Sequence, residues 1–342
     1  MGRYDFDTVI ERTNTCSSKW DLMTPLFGQN DLLPMWVADM DFKAPPEVNE
    51  ALRERVEHGI YGYTKRMTPY YEAIVSWVGR RFGWEIDPDW ICHSPGVVPA
   101  LSMAILTYTQ PGDGVLIQPP VYYPFFDVIG GRGRRIVENP LRFTGERFEI
   151  DFGDLERKLD SSVTMMFLCS PHNPVGRVWT REELARLVDI CAERNVLIVA
   201  DEIHSDIVFP WAKHTPLASL SEKAASISLT TIAPSKTFNI AGLSTSAVIV
   251  PDKRLRERYR NTTSFLHIDG GNTFGTLGCE AAYRKGEPWL GELMEYLQGN
   301  LEYLDSFLKT NIPEIRLIRP EGTYIPFLDC RALKMNAKEL QA

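Results

Sequence analysis

Short apolar runs alternating with helical patterns predict an α/β fold: a three-layer α/β/α architecture around a mostly parallel central sheet. Three observations carry this prediction. The runs at 115–118 (VLIQ), 163–170 (VTMMFLCS), 195–201 (NVLIVAD) and 226–233 (SISLTTIA) are apolar on both faces, as in strands covered from both sides. Helical patterns near 98–109, 122–130 and 180–194 separate the earlier runs, which is the order of β-α-β units. Four segments fall just after predicted strands or at turns, and sites of open α/β sheets collect at the carboxyl ends of their strands.

The elements follow in chain order. Pro45 and Pro46 open a helix that runs to about His58, and Gly59 stops it. A second helix spans about Pro69 to Phe82, and the strand–helix alternation begins after it. Past Ala247 to Val250 the pattern changes. Long helices cover about 252–310, and two late strands follow at 314–320 and 323–330. This change predicts a large domain over 44–285 and a smaller α+β domain built from 1–43 and 286–342. Residues 336–342 read as the first turns of a helix. The chain is therefore expected to be shortened at its C-terminus, where a further helix and a strand or two would normally follow.

Composition narrows the function. The chain has 342 residues, 44% hydrophobic and 24% charged, which is ordinary globular usage. Its net charge of −8 argues against a broad nucleic-acid surface. None of the six cysteines forms a CxxC pair, so neither a zinc ribbon nor a disulfide framework is expected, and no metal. The N-terminus lacks the apolar core of a signal peptide, and runs such as VLIVA are too short to span a bilayer. A cytoplasmic protein with no membrane partner is expected.

Four segments stand after predicted strands or at turns: SPGVVPAL (94–101), SPHNPVG (170–176), ADEIHSD (200–206) and APSKTFN (233–239). Lys236 lies among small and apolar residues, with no carboxylate between Thr231 and Ser246. Burial of such a lysine depresses its pKa and exposes a nucleophilic amine able to condense with an aldehyde. Asp201 ends an apolar strand; it reads either as a helix N-cap or as a buried carboxylate held ionised by a cation such as a protonated pyridine nitrogen. Asn173, between Pro171 and Pro174, reads as a plain turn residue or as an amide fixed to hydrogen-bond a phenolate-like oxygen. Val97 and Val98 open a helix whose free N–H groups and dipole suit a phosphate. One molecule, pyridoxal 5′-phosphate, offers an aldehyde, a ring nitrogen, a phenolic oxygen and a phosphate.

These residues resemble the fold-type I pyridoxal-phosphate enzymes of the class I/II aminotransferase superfamily. SPHNPVG matches that superfamily's asparagine-proline turn, and PSKTFNIAG its lysine segment. Within it, WVADMDF (36–42), YGYT (61–64), PPVYYPF (119–125) and ADEIHSD resemble the MalY/PatB group of cystathionine β-lyases, or C–S lyases. The resemblance implies that Lys236 holds the cofactor, Asp201 faces its ring nitrogen and Asn173 its phenolic oxygen. It also implies that Tyr123 stacks on the ring, and that the Val97 and Val98 amides with the Ser235 hydroxyl hold the phosphate. Tyr61 would reach the partner subunit's site in a homodimer. His204 stands where many aminotransferases have Tyr, and Ser244 where many have Arg; both favour the lyase group. His204 reads either as a proton-transfer group or as a neutral, hydrogen-bonded neighbour of the cofactor. The superfamily's C-terminal arginine for the substrate carboxylate has no match.

The activity implied is β-elimination from cystathionine- or cysteine-type amino acids to a thiol, pyruvate and ammonia. The alternatives are a class I/II aminotransferase and a catalytically weak regulator that binds a transcription factor.

Overall fold

The computed structural model describes residues 2–29 and 31–341; the expected terminal helix at 336–342 thus includes one position, Ala342, outside them. The strands are β1 (Ile91–Ser94), β2 (Gly114–Ile117), β3 (Arg135–Glu138), β4 (Arg142–Phe143), β5 (Phe148–Glu149), β6 (Val163–Cys169), β7 (Leu197–Asp201), β8 (Ser228–Ile232), β9 (Ser246–Ile249), β10 (Arg316–Ile318) and β11 (Phe327–Asp329). Seven of them form one sheet in the order β1-β9-β8-β7-β6-β2-β3. Only β9 runs antiparallel to its neighbours, β1 and β8; every other pairing is parallel. β4–β5 and β10–β11 are separate antiparallel pairs.

Helices cover both faces, giving the three layers that the apolar runs predict. On one face the helices Val97–Tyr108, Pro124–Gly130 and Lys253–Phe265 bury Ala100, Leu101, Ile105, Phe125 and Tyr259 against Ile117, Phe167, Val199 and Val248 of the sheet. On the other, Val48, Ile74, Trp77, Tyr283 and Trp289 pack with Ile249, while Trp179, Leu184 and Leu187 pack with Leu116, Leu168 and Ile198. Fully burying a side chain of this size contributes about 1.5–3 kcal/mol, so both faces hold the sheet in place.

Local chemistry sets the helix limits. Helix Pro46–His58 has proline in its first turn and stops at Gly59, whose φ of 72° belongs to the left-handed region that glycine tolerates. Helix Arg181–Glu193 starts with a reciprocal capping box between Thr180 and Glu183. The long helical stretch after 250 divides into Lys253–Phe265, Thr273–Lys285 and Glu287–Asn311.

β1, β3, β9 and the β4–β5 pair have no counterpart among the expected strands. β1 is four residues long, and in the edge strand β3 both Arg135 and Glu138 are exposed, so neither shows a two-sided apolar run. The late strands form as expected but keep only three residues each.

Candidate active site

β6, β7 and β8 end side by side, with Cys169, Asp201 and Thr231 in register. This edge gathers the turns that carry the candidate residues. Asp201, the last residue of β7, is buried, and its carboxylate accepts a hydrogen bond from the Ile203 N–H at 3.2 Å. Burial pushes its pKa up to about 7; that backbone N–H and the nearby Lys236 oppose the rise. A cation placed against this carboxylate would return it to the ionised state.

Lys236 stands on a single helical turn, Pro234–Thr237, that follows β8. Burial lowers its pKa, partly offset by the carboxylates of Asp39 and Asp201. Its Nζ donates to the Ala38 carbonyl at 2.5 Å. The segment around Lys236 contains no acid, so its carboxylate neighbour Asp39 comes from the N-terminal arm.

Asn173 follows β6 in the SPHNPVG turn, where its backbone N–H contacts Cys169 Sγ at 3.3 Å. Among the described residues its side-chain amide makes no hydrogen bond. Gly96 precedes the helix Val97–Tyr108, and the first N–H groups of that helix, at Val97 and Val98, have no carbonyl within the helix to bond. Ser235 lies half-buried on the turn that carries Lys236, and Ser244, the residue in place of a common arginine, adopts a left-handed φ of 49°.

The remaining candidates divide. His204 is buried with an unpaired Nδ1, and burial holds its pKa near 3, so it stands neutral beside Lys236. Tyr61 is 55% exposed, and its hydroxyl donates to the Val56 carbonyl at 3.2 Å. Tyr123 is 72% exposed. The adjacent Tyr122 is half-buried instead; its hydroxyl is pushed up to about 12 by burial, with Asp201 and Cys169 as charged-state neighbours. Tyr122 thus lies within electrostatic reach of Asp201, whereas Tyr123, the residue expected to stack on the ring, is largely exposed.

Sequence reading also left out Ala38, Asp39 and Tyr324. Tyr324 donates its hydroxyl to the same Ala38 carbonyl at 2.9 Å, and its ring lies 5.9 Å from that of His204. The signal was present for the first two, since WVADMDF carries the lyase resemblance, but a motif gives no contact.

The residues fit pyridoxal phosphate on structural grounds. Among the described residues, an amide without a side-chain hydrogen bond, a buried acid in no ion pair, an amine of lowered pKa and a helix N-terminus stand at or just after the carboxyl ends of strands of the same sheet.

Comparison with known proteins agrees. The chain is 48% identical over 338 residues to cystathionine beta-lyase PatB of Bacillus subtilis, covering 98% of this chain and 87% of that one. It is 33% identical to protein MalY of Escherichia coli, covering 99% and 87%. Among solved structures, cystalysin from Treponema denticola, which contains pyridoxal 5′-phosphate, superposes with a TM-score of 0.95 at 39% identity, covering 99% of this chain and 86% of that one. Residues 30–342 match the family described as aminotransferase class I and II, and the chain belongs to that family of pyridoxal-phosphate enzymes.

Proposed function

We infer that this protein is a C–S β-lyase that cleaves the Cβ–S bond of cystathionine- or cysteine-type amino acids, releasing a thiol, pyruvate and ammonia. One observation carries the reading: Lys236, an amine of lowered pKa, stands near the buried Asp201 at the edge where the site turns meet. The relatives named as cystathionine β-lyases support the choice of reaction.

Lys236 is the residue to which pyridoxal phosphate attaches. Bound there, the cofactor supplies an electron-withdrawing ring that acidifies the substrate's α-carbon. The chain's residues do the rest. Asp201 would accept a hydrogen bond from the ring nitrogen and keep it protonated. The Asn173 amide would donate to the phenolic oxygen. Tyr122 would cover the ring face. The Val97 and Val98 amides and the Ser235 hydroxyl would hold the phosphate. The Lys236 amine, once free, removes the α-proton as general base. A thiolate then leaves Cβ readily, because a thiol's pKa is only about 8.5. Neutral His204 fills the space beside the amine without adding a competing charge.

The same reading includes a homodimer, with exposed Tyr61 reaching the partner's site, and a division into a large domain (44–285) and a small one (1–43 and 286–342). The placement of the seven-stranded sheet within 91–249 supports that division. No helix among the described residues is long and apolar enough to cross a membrane. The free cysteines, four of them buried, support a cytoplasmic placement.

The assay that separates lyase from aminotransferase is pyruvate release from L-cystathionine with no keto acid added. A lyase releases pyruvate and free thiol continuously, and Lys236→Ala abolishes both. A single turnover that resumes only on adding a keto acid would overturn the reading.

A further inference from the structure

Among the described residues, the arm 36–42 hydrogen-bonds Lys236 through the Ala38 carbonyl, and the structure anchors the residues that follow it from several directions. Asn239, three residues after Lys236, clasps the arm: its Nδ2 donates to the Met40 carbonyl at 2.8 Å and to the Phe42 carbonyl at 2.7 Å, and its Oδ1 accepts from the Met40 N–H at 3.0 Å. Asn239 does this from a left-handed backbone, φ 56°, which asparagine tolerates better than most residues. On the other side Arg12 pairs with Asp39 at 2.9 Å and with Asp41 at 2.7 Å. Lys19, itself buried, donates to the Asp39 carbonyl at 3.1 Å and to Asp41 at 2.6 Å, and Trp20 Nε1 donates to Asp41 at 2.9 Å. Between these two clamps the Ala38 carbonyl points at Lys236 and Tyr324 and accepts from both.

We propose that the Ala38 carbonyl is the acceptor that holds and aims the free Lys236 amine during turnover, and that Tyr324 is a positioning residue that fixes this carbonyl and shares it. The proposal rests on Lys236 being the general base. A neutral amine has two N–H bonds and one lone pair. Donating one N–H to a fixed carbonyl restricts where the lone pair can point, and a base that must meet a proton within hydrogen-bond reach gains from that restriction. Tyr324 acts through the carbonyl without touching the substrate.

The arrangement has a signed consequence for pH. The groups facing Lys236 are Asp39 from the arm, Asp201 from β7, neutral His204 from the following turn and, across Ala38, Tyr324 with Tyr122 behind it. A carbonyl hydrogen-bonds an ammonium more strongly than a neutral amine. While Tyr324 occupies part of that oxygen, the ammonium form gains less. Tyr324→Phe leaves the carbonyl to the lysine alone, stabilises the ammonium and raises the pH at which the amine becomes a base.

The experiment compares wild type, Tyr324→Phe and Asn239→Ala. In the cofactor-free protein, the pH midpoint for acylation of Lys236 is read by peptide mass spectrometry. Tyr324→Phe moves this midpoint up by about half a unit or more. In the holoenzyme the acid limb of kcat moves up with it. kcat at neutral pH falls about tenfold, the scale of one lost hydrogen bond, with KM within about twofold. Asn239→Ala, which releases the arm, lowers kcat by a similar factor. A residue with a structural role alone would lower the melting temperature and leave the midpoint in place. An unshifted midpoint in Tyr324→Phe, or wild-type kcat in both variants, overturns the proposal. Absence of pyruvate from the wild type would count against the lyase reading, whereas the acylation midpoints need no turnover and decide this inference by themselves.

Discussion

Lys236 and Asp201 are each shifted away from the charge they carry in water. Burial makes the amine easier to deprotonate and the acid easier to protonate, and each group's charge would partly restore the other's. On the proposed function, attachment of pyridoxal phosphate at Lys236 would consume the amine and set a protonated nitrogen against Asp201, relieving both strains. Single residues also show where sequence reading ends. PPVYYPF offers two adjacent tyrosines, and nothing in the string says which turns inward. The structure half-buries Tyr122 within electrostatic reach of Asp201 and leaves Tyr123 largely in solvent. Tyr122→Ala is therefore expected to weaken pyridoxal-phosphate binding by about tenfold or more, the scale of a lost aromatic contact, while Tyr123→Ala leaves it within about twofold. Titrating each cofactor-free variant with the cofactor and following the visible band tests this; a larger loss in Tyr123→Ala would return the stacking role to that residue.

Most of the strands covered on both faces were legible, whereas the four-residue β1 and β9 and the half-exposed edge strand β3 were missed. β6, β7 and β8 emerged from the sequence within two residues of their ends, because Val163–Cys169 and Leu197–Asp201 are apolar in all but one position each and Ser228–Ile232 is rich in β-branched residues. β3 was silent: an edge strand needs only one covered face, and its charged ends read as loop. The turns carrying Asn173, Val97 and Lys236 were legible through their Pro, Gly and Asn punctuation, since backbone geometry constrains residue type there, and Asp201 through its place at the end of an apolar strand. The arm was only half legible. WVADMDF stood out as a motif, but its contribution is a main-chain carbonyl, and any residue at position 38 would leave the same atom in the string. The element that holds it, the Asp39–Arg12–Asp41–Lys19 cluster, joins residues up to 29 positions apart, and sequence spacing gives no sign of such a pairing.

Across the whole molecule, buried titratable groups set how stability depends on pH. His93 and His172 are held near pKa 4 and His204 near 3, all mainly by burial. An unfolded histidine binds its proton at about pH 6.5. Below that value the unfolded chain takes up protons that the folded chain refuses, so these three groups favour the fold above about pH 6.5 and lose that contribution as pH falls toward their folded values. Asp201 has the opposite sign. Its raised pKa favours the fold most at low pH, and that contribution is lost as pH rises toward 7. Asp206, raised by burial in the same way, acts in the same direction. With three histidines against these acids, the cofactor-free protein should melt at a lower temperature at about pH 5 than at about pH 7. Asp201→Asn should show a steeper fall, because one opposing group is gone. Thermal melts over that range check both statements; a shallower fall in Asp201→Asn would contradict the assignment of Asp201 as a buried, proton-binding acid.

The account stands on the identity of one attachment point. Purified protein incubated with pyridoxal 5′-phosphate, reduced with borohydride and digested, yields peptides whose masses locate the cofactor. The expected result is a single added cofactor mass on the peptide containing Lys236, absent from Lys236→Ala. Label on another lysine, or label spread over several with Lys236 unmodified, would contradict it.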